Sequence, residues 1–461
     1  MLIFFIYVDR NKNGNDYTHS ANMSGSEVLE ELYSNPQFEN KVHHISGVSD
    51  GQGPADFVNV KSQYDGENRT TPATQAVAQH RHRDLEQVQP YSAAPTDVFT
   101  GQTSSYIQFN LPPQTGAVED MYYEFRSTIA NASGGSVDVR RLPAPLTIDR
   151  IELLLDSSSV FETIYGDALY LETLYSNNEP KFAREAAAGQ FGATPGNGTV
   201  GMEAEITVAD GAATPQVTTR LRLLTMLQTA KICPKALSTD VVIRVYHHKH
   251  NHNKGGTAGI TGTFTQPRLW IRSTVLTHSE QNRLTSMYQS SQGVHYRVIK
   301  RNTATHPISA IAAGVEHTQL NSTFRGSAAA TLVYFKQQSD AGDLRATYYP
   351  LTESRVHDSS GRTRHRLVDH DYHQTFINGE FIGSRMPSNT LPPFYLYLGS
   401  TAFLRDLTGG SASGSHIEDA RVKYMLTPAA GMAGLNVNLT FISYQFCTLH
   451  IRDGVVTIEQ S

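Results

Sequence analysis

From Tyr106 onward the sequence keeps one texture: short segments of alternating apolar and polar residues, each cut off by Pro, Gly or Asn. A period of two puts every second side chain on one side of an extended chain, so each segment reads as a strand with one buried face. SSYIQFNLP, from Tyr106, stops hard at Pro112-Pro113, and MYYEFRSTI (Met121 to Ile129) stops at the turn cluster NASGG. LTIDRIELLLD (Leu146 to Asp156) is entered through Pro143 and Pro145. Further strands are predicted at Met202 to Val208, RLRLLTMLQ (Arg220 to Gln228), DVVIRVYHH (Asp240 to His248) and RLWIRSTVLT (Arg268 to Thr277). Val160 to Tyr175 fits either a short helix or a strand pair.

The polar stretch HSEQNRLTSMYQSS (His278 to Ser291) breaks this pattern and predicts a helical linker over 279–292. Strand texture resumes at VHYRVIK (Val294 to Lys300). It continues at Glu316 to Gly326, ATLVYFKQ (Ala330 to Gln337), QTFINGEFIG (Gln374 to Gly383), DARVKYML (Asp419 to Leu426) and LNVNLTFISYQF (Leu435 to Phe446). Asp453-Gly454 marks a tight turn between two closing strands. Residues 1–103 differ. Ser24 or Ser26 caps a short helix near 24–34, and the rest is polar, rich in Asp, Gln, Gly and Pro, and reads as an irregular N-terminal arm. The expected organisation is therefore all-β: an arm over 1–103, a block over 104–278, the linker, and a block over 293–461. Each block is a sandwich or barrel with few short helices.

Composition narrows what such a chain does. Charged residues make up 18% of the 461, against about 25% in an ordinary soluble domain. Few charges on a large chain suit a surface largely hidden in an assembly, because interface cores are depleted of charge. The net charge of −5 does not suit a chain built to neutralise phosphates. Cys233 and Cys447 make no disulfide framework. No apolar run reaches the roughly 18 residues of a membrane helix. Leu2 to Tyr7 lacks the flanks of a signal peptide, and Met23 is an alternative start to Met1. There is no repeat at 20 to 50 residues.

Three segments resemble the double jelly-roll major capsid proteins of icosahedral DNA viruses, a family that includes adenovirus hexons and the capsid proteins of large algal viruses, virophages and polinton-like viruses. YIQFNLP with PAPLTIDRIELLLDSSSVFETIYGD, including Gly166, is similar to the opening of the first roll. RLWIRSTVLTHSEQNRL is similar to its last strand running into the link. SGSHIEDARVKYML with LTFISYQFCTLHIRDGVVTI is similar to the end of the second roll. The sequence departs from the family where a Tyr-Asn pair reads Tyr444-Gln445, and where an Asn after the Ser-Gly stretch is replaced by His416 or Glu418. The resemblance implies two tandem eight-stranded jelly rolls, a homotrimeric pseudo-hexagonal capsomer, and a shell around a DNA genome. It also implies a place in the virion, contacts with neighbouring capsomers and with penton and minor or cement proteins, and no cofactor or catalytic residues. The loops Gly189 to Pro215, His250 to Thr265, Asp340 to Arg366 and Pro387 to Ser415 would lock neighbours or build a tower.

Two histidine clusters support a rival reading. His247, His248, His250 and His252 form one, and His370 and His373, beside Asp369 and Asp371, form the other. Both are dense enough to ligate a transition metal, as in a bicupin-like metalloenzyme; a carbohydrate-binding β-sandwich is the related alternative. Against that, His370 and His373 fall on opposite faces of a strand, and 247–252 sits where a strand runs into a Gly-rich loop, so exposed loop histidines are the expected reading. The run His80, Arg81, His82, Arg83 offers a small basic patch to genome or inner-membrane head groups, or is simply a solvated charge run. Gly-x-Ser-x-Gly and phosphate-loop motifs are absent. Both cysteines read as small core residues. Of the five Asn-x-Ser/Thr sequons, at Asn68, Asn131, Asn197, Asn321 and Asn438, the last falls inside a strand expected to be buried. Metal recovered in stoichiometric amount, and lost on changing His370 or His373, would favour the rival.

Overall fold

The structure, a computed structural model, describes residues 82–91, 106–141, 144–155, 159–176, 204–214, 216–223, 225–248, 259–276, 278–320, 327–338, 348–357, 361, 363–367, 394–398, 417–418 and 423–460. The helix expected near 24–34, the strand expected at Gln374 to Gly383 and most of the long loops lie outside them.

The first block holds β1 (His82–Val88), β2 (Tyr106–Asn110), β3 (Ala117–Asn131), β4 (Val137–Arg141), β5 (Ile148–Leu154) and β6 (Val160–Tyr165). After α1 (Gly166–Ser176) follow β7 (Ala204–Val208), β8 (Val217–Leu223), α2 (Met226–Thr229), β9 (Val242–His247) and β10 (Ile260–Val275). Two four-stranded antiparallel sheets, in the orders β1-β10-β3-β8 and β2-β9-β5-β6, face each other, with β4 and β7 as a separate ribbon. The chain keeps switching between the two sheets, which makes a jelly roll. α3 (His278–Gln289) then leads into β11 (Val294–Ile308), β12 (His317–Leu320), β13 (Ser327–Gln337), β14 (Tyr348–Tyr349), β15 (Leu351–His357) and β16 (Thr363–Leu367). β17 (Phe394–Leu398), β18 (Ile417–Glu418), β19 (Lys423–Pro428), β20 (Val437–Arg452) and β21 (Val455–Gln460) complete the chain. The second roll repeats the scheme. One sheet runs β11-β20-β13, with β14, β17 and β18 also on β13 and β21 on β20; the other runs β12-β19-β15-β16.

Several boundaries differ from the sequence reading, each for a physical reason. The irregular arm does not extend to residue 103: β1 pairs with β10 from His82↔Val275 to Val88↔Leu269 and supplies the eighth strand of the first roll. Its sequence, HRDLEQV, is polar because it is an edge strand, and Val88 alone is a buried apolar residue among its described side chains. Val160 to Tyr175 is a strand followed by a helix. Gly166 allows the change, since a Cβ there would run into the carbonyl oxygens of Ile148 and Pro145. Arg220 to Gln228 leaves the sheet at Leu223 and becomes α2, capped by Thr225 and Gln228. β10 begins at Ile260, before the expected Arg268, because a bulge between Thr265 and Arg268 absorbs Pro267, with Gln266 at φ 52°.

β13 is buried continuously from Ala330 to Phe335, and β20 from Leu439 to Gln445. A strand loses its alternation when both of its faces are covered. Val333, Phe335, Leu439 and Phe441 fill the core of the second roll, whereas Leu332, Tyr334, Ile442 and Tyr444 belong to a larger apolar cluster continuous with the first roll. One sheet thus serves two cores. Asp453 (φ 53°) and Gly454 (φ 73°) make the expected tight turn, and its tip docks on the first roll. Ser238 N–H donates to Gly454 O at 3.0 Å, and Gly454 N–H donates to Tyr288 O at 2.9 Å.

Val88→Asp, which places a charge in the shared core beside the edge of β10, is expected to cost about 3 kcal/mol or more. Gln87→Glu, at an exposed position of the same strand, should leave stability nearly unchanged. Urea unfolding of both variants checks β1 as a working strand of the roll.

Candidate functional site: the junction between the rolls

The first roll meets the sheet of the second at α1 and the edge strand β6. Glu162 on β6 and Glu172 on α1 converge there on Arg301 of β11, with side chains 0%, 2% and 5% exposed. Arg301 Nη1 donates to Glu162 Oε1 at 2.7 Å, while its Nε and Nη2 reach the two oxygens of Glu172 at 2.5 and 2.9 Å. Tyr444 OH donates to Glu172 Oε1 at 2.9 Å, and the Met226 N–H, at the start of α2, donates to Glu162 Oε2 at 2.8 Å. All four carboxylate oxygens therefore have a donor. Burial pushes the Glu162 carboxyl above its usual range, against the pull of Arg301. Burial also works against the charge of Arg301, but Glu172 and Glu162 outweigh it and hold the guanidinium more firmly protonated than usual.

A second contact lies one turn away. Asp167, in the first turn of α1, accepts from Lys336 Nζ at 2.7 Å, Tyr348 OH at 2.8 Å and Tyr334 OH at 3.2 Å. Burial opposes its charge, but Lys336 and the tyrosines outweigh burial and hold its pKa below the usual value. Its stabilising contribution is therefore present above the ordinary carboxylate range and lost as pH falls through its lowered value. With 23% of the Asp167 side chain exposed, solvent screens part of that contribution. These saturated ion clusters join two rolls; their hydrogen-bonding capacity is used up in doing so.

Nothing in the sequence pattern singles out Glu162, Asp167, Glu172, Arg301 or Lys336. Each sits in a segment where a charge reads as solvated, and only the pairing of distant strands shows otherwise. The histidines it did single out separate. His247, the last residue of β9, is not an exposed loop residue: it is 5% exposed and packed among Tyr123, Phe125 and Phe264, with Tyr123 OH 2.8 Å from Nε2. Burial pushes its pKa down to about 3, against a backbone hydrogen bond at Thr147. The strand predicted over Asp240 to His248 does contain it, and the alternation of β9 turns its imidazole into the core rather than toward the loop that follows. His248 points the other way, 3.8 Å from Asp149. His250, His252, His370 and His373 lie outside the described residues, as do His80 and Arg81. His82 and Arg83 belong to β1, paired with Val275 and Thr274. Cys233 and Cys447 are buried, and burial pushes both thiols up to about 11, away from thiolate chemistry. Asn131 is also buried, its amide donating to Gly135 O and Val208 O at 2.7 and 2.8 Å, so that sequon serves a turn.

No family model and no curated protein matches the sequence. Solved structures do. A quasi-atomic model of the PBCV-1 virus capsid superposes with TM-score 0.54 at 13% identity, covering 83% of this chain and 98% of that one. The Faustovirus major capsid protein superposes with TM-score 0.55 at 8% identity, covering 85% and 96%. The fold is the double jelly roll. At such low identity the likeness lies in how the strands are ordered and packed. In this double jelly roll, the Arg301 cluster joins elements that lie far apart in the sequence.

Arg301→Met strands two buried carboxylates and is expected to cost about 3–5 kcal/mol, with the gap to the parent protein narrowing as pH falls and Glu162, whose pKa burial already raises, takes up a proton. Urea unfolding at pH 8 and pH 5 checks both effects. His247, with its folded pKa held below the unfolded value, contributes stability that is present above about pH 6.5 and lost at about 1.4 kcal/mol per pH unit below it. His247→Gln should flatten that slope in a pH series of melting curves.

Proposed function

We propose that this chain is a major capsid protein: three copies form a pseudo-hexagonal capsomer, and capsomers tile an icosahedral shell around a DNA genome, placing the protein in the virion. The observation that carries the reading is that the superposition takes in 85% of this chain and 96% of a structure described as the Faustovirus major capsid protein. Composition supports it, since few charges suit a molecule whose flanks are covered by copies of itself. The charges on the outer side of β3, β8 and β10 are largely paired. Asp120 takes Arg222 and Arg272, and Glu124 takes Arg220 and the indole N–H of Trp270. That leaves the two carboxylates of this face paired and buried beneath arginines. Neighbouring capsomers, penton proteins and minor or cement proteins are the partners this role calls for, with the genome or an inner membrane facing residues 80–83.

The metalloenzyme and carbohydrate-binding readings rested on the histidine clusters. His247, the member of those clusters inside the first roll, is packed as a core residue.

Electron microscopy of the purified full chain is expected to show particles of threefold symmetry with a pseudo-hexagonal outline, and sedimentation a mass three times that of the chain. A stable monomer at high micromolar concentration, with turnover of any substrate, would overturn the proposal.

A further inference from the structure

His295 and His450 are direct cross-strand partners on β11 and β20. Their Nδ1 atoms stand 2.5 Å apart, with the rings nearly perpendicular at 85°. Neighbouring β21 places a Glu459 oxygen 2.9 Å from Nε2 of His450, the nitrogen remote from His295, at ion-pair distance but without the alignment of a hydrogen bond. Glu459 is 74% exposed and free to turn. A carboxylate at Nε2 favours the tautomer of His450 that carries its proton there, which turns the Nδ1 lone pair toward His295.

From the convergence of these two imidazole nitrogens, backed by a carboxylate, we propose that His295 and His450 form a binding site for a divalent transition metal of the zinc class, with Glu459 orienting His450 from outside. Among the described residues no three side chains converge as ligands, so water completes the coordination. Bonds of about 2.0–2.1 Å at a tetrahedral ion hold two nitrogens about 3.3 Å apart. The pair must open by less than 1 Å from its present spacing, a movement the exposed ring of His295 can make. The proton now shared between the Nδ1 atoms passes to Nε2 of His295, so both rings stay neutral and two nitrogen–metal bonds form without net proton release. A metal ligand must be a neutral imidazole, so protons compete with the ion and affinity falls in acid. Arg452, whose stem packs at Gly293 two residues from His295, opposes a cation and keeps the affinity moderate. A bound ion would cross-link the first strand of the second roll to the hairpin that closes the chain.

The test uses the full chain and Zn2+ as the probe, with calorimetric titration and metal content after dialysis at pH 7.5 and pH 5.5. The chain has 19 histidines, so the comparison between variants decides. H295Q/H450Q is expected to bind one Zn2+ fewer per chain than the parent at pH 7.5. E459Q, a surface change, should weaken that site about tenfold or more, and Zn2+ should raise the melting temperature of the parent more than that of the double variant. Equal Zn2+ content and affinity in parent and double variant would overturn the proposal, leaving the pair as a shared-proton contact. A double variant with a parent-like circular dichroism spectrum and melting curve ensures that lost binding is read as lost ligands.

Discussion

Arg301 can be buried only because Glu162 and Glu172 reach it from the other roll. A lone guanidinium in that position would carry a desolvation penalty of several kcal/mol, and so would the two carboxylates without it. Each roll on its own is therefore poorly satisfied at this face. The same sheet that presents Arg301 also presents Leu332, Tyr334 and Tyr444 to the first roll. Apolar burial supplies attraction there without direction, whereas the forked guanidinium admits few arrangements. The register of α1 and β6 against β11 follows from that fork, and the positions of α2, held through Met226, and of Asp167 against Lys336 follow in turn.

The alternation between Tyr106 and Ile458 made two tandem strand-rich blocks readable in the sequence, because a period of two is imposed by the pleat and survives any change of neighbour; that each block is a jelly roll followed from the family resemblance. The helix at His278 and the turn at Asp453-Gly454 were readable for similarly local reasons. What stayed hidden depended on distant partners. β1 looks like linker because an edge strand on a polar rim needs few apolar residues, and nothing local reveals the β10 edge it covers. Glu162 and Arg301 look like surface charges because the helix and strand that bury them arrive from another part of the chain. His247 stands at the strand end where a histidine run begins, and nothing local reveals that Phe125 and Phe264 come from two other strands to enclose it.

The low charge takes on a more specific meaning. Asp120 and Glu124 lie on the outer side of a sheet and are only 5% and 4% exposed, each beneath arginines from neighbouring strands. Charge is scarce in this chain, and on this sheet both buried carboxylates are committed to cross-strand pairs. The sole tryptophan follows the same rule, with its indole N–H given to Glu124.

The last hairpin seats its tip on Ser238 and Tyr288, residues from the end of the first roll and from the linker helix. The underside of the first roll thus waits for the end of the chain. During synthesis the first roll can pair its strands early, but the surface around 234–238 stays uncovered until residues 437–460 have been made and paired. Folding therefore carries a built-in order: a part of the first roll made early is finished only by a hairpin made more than 200 residues later.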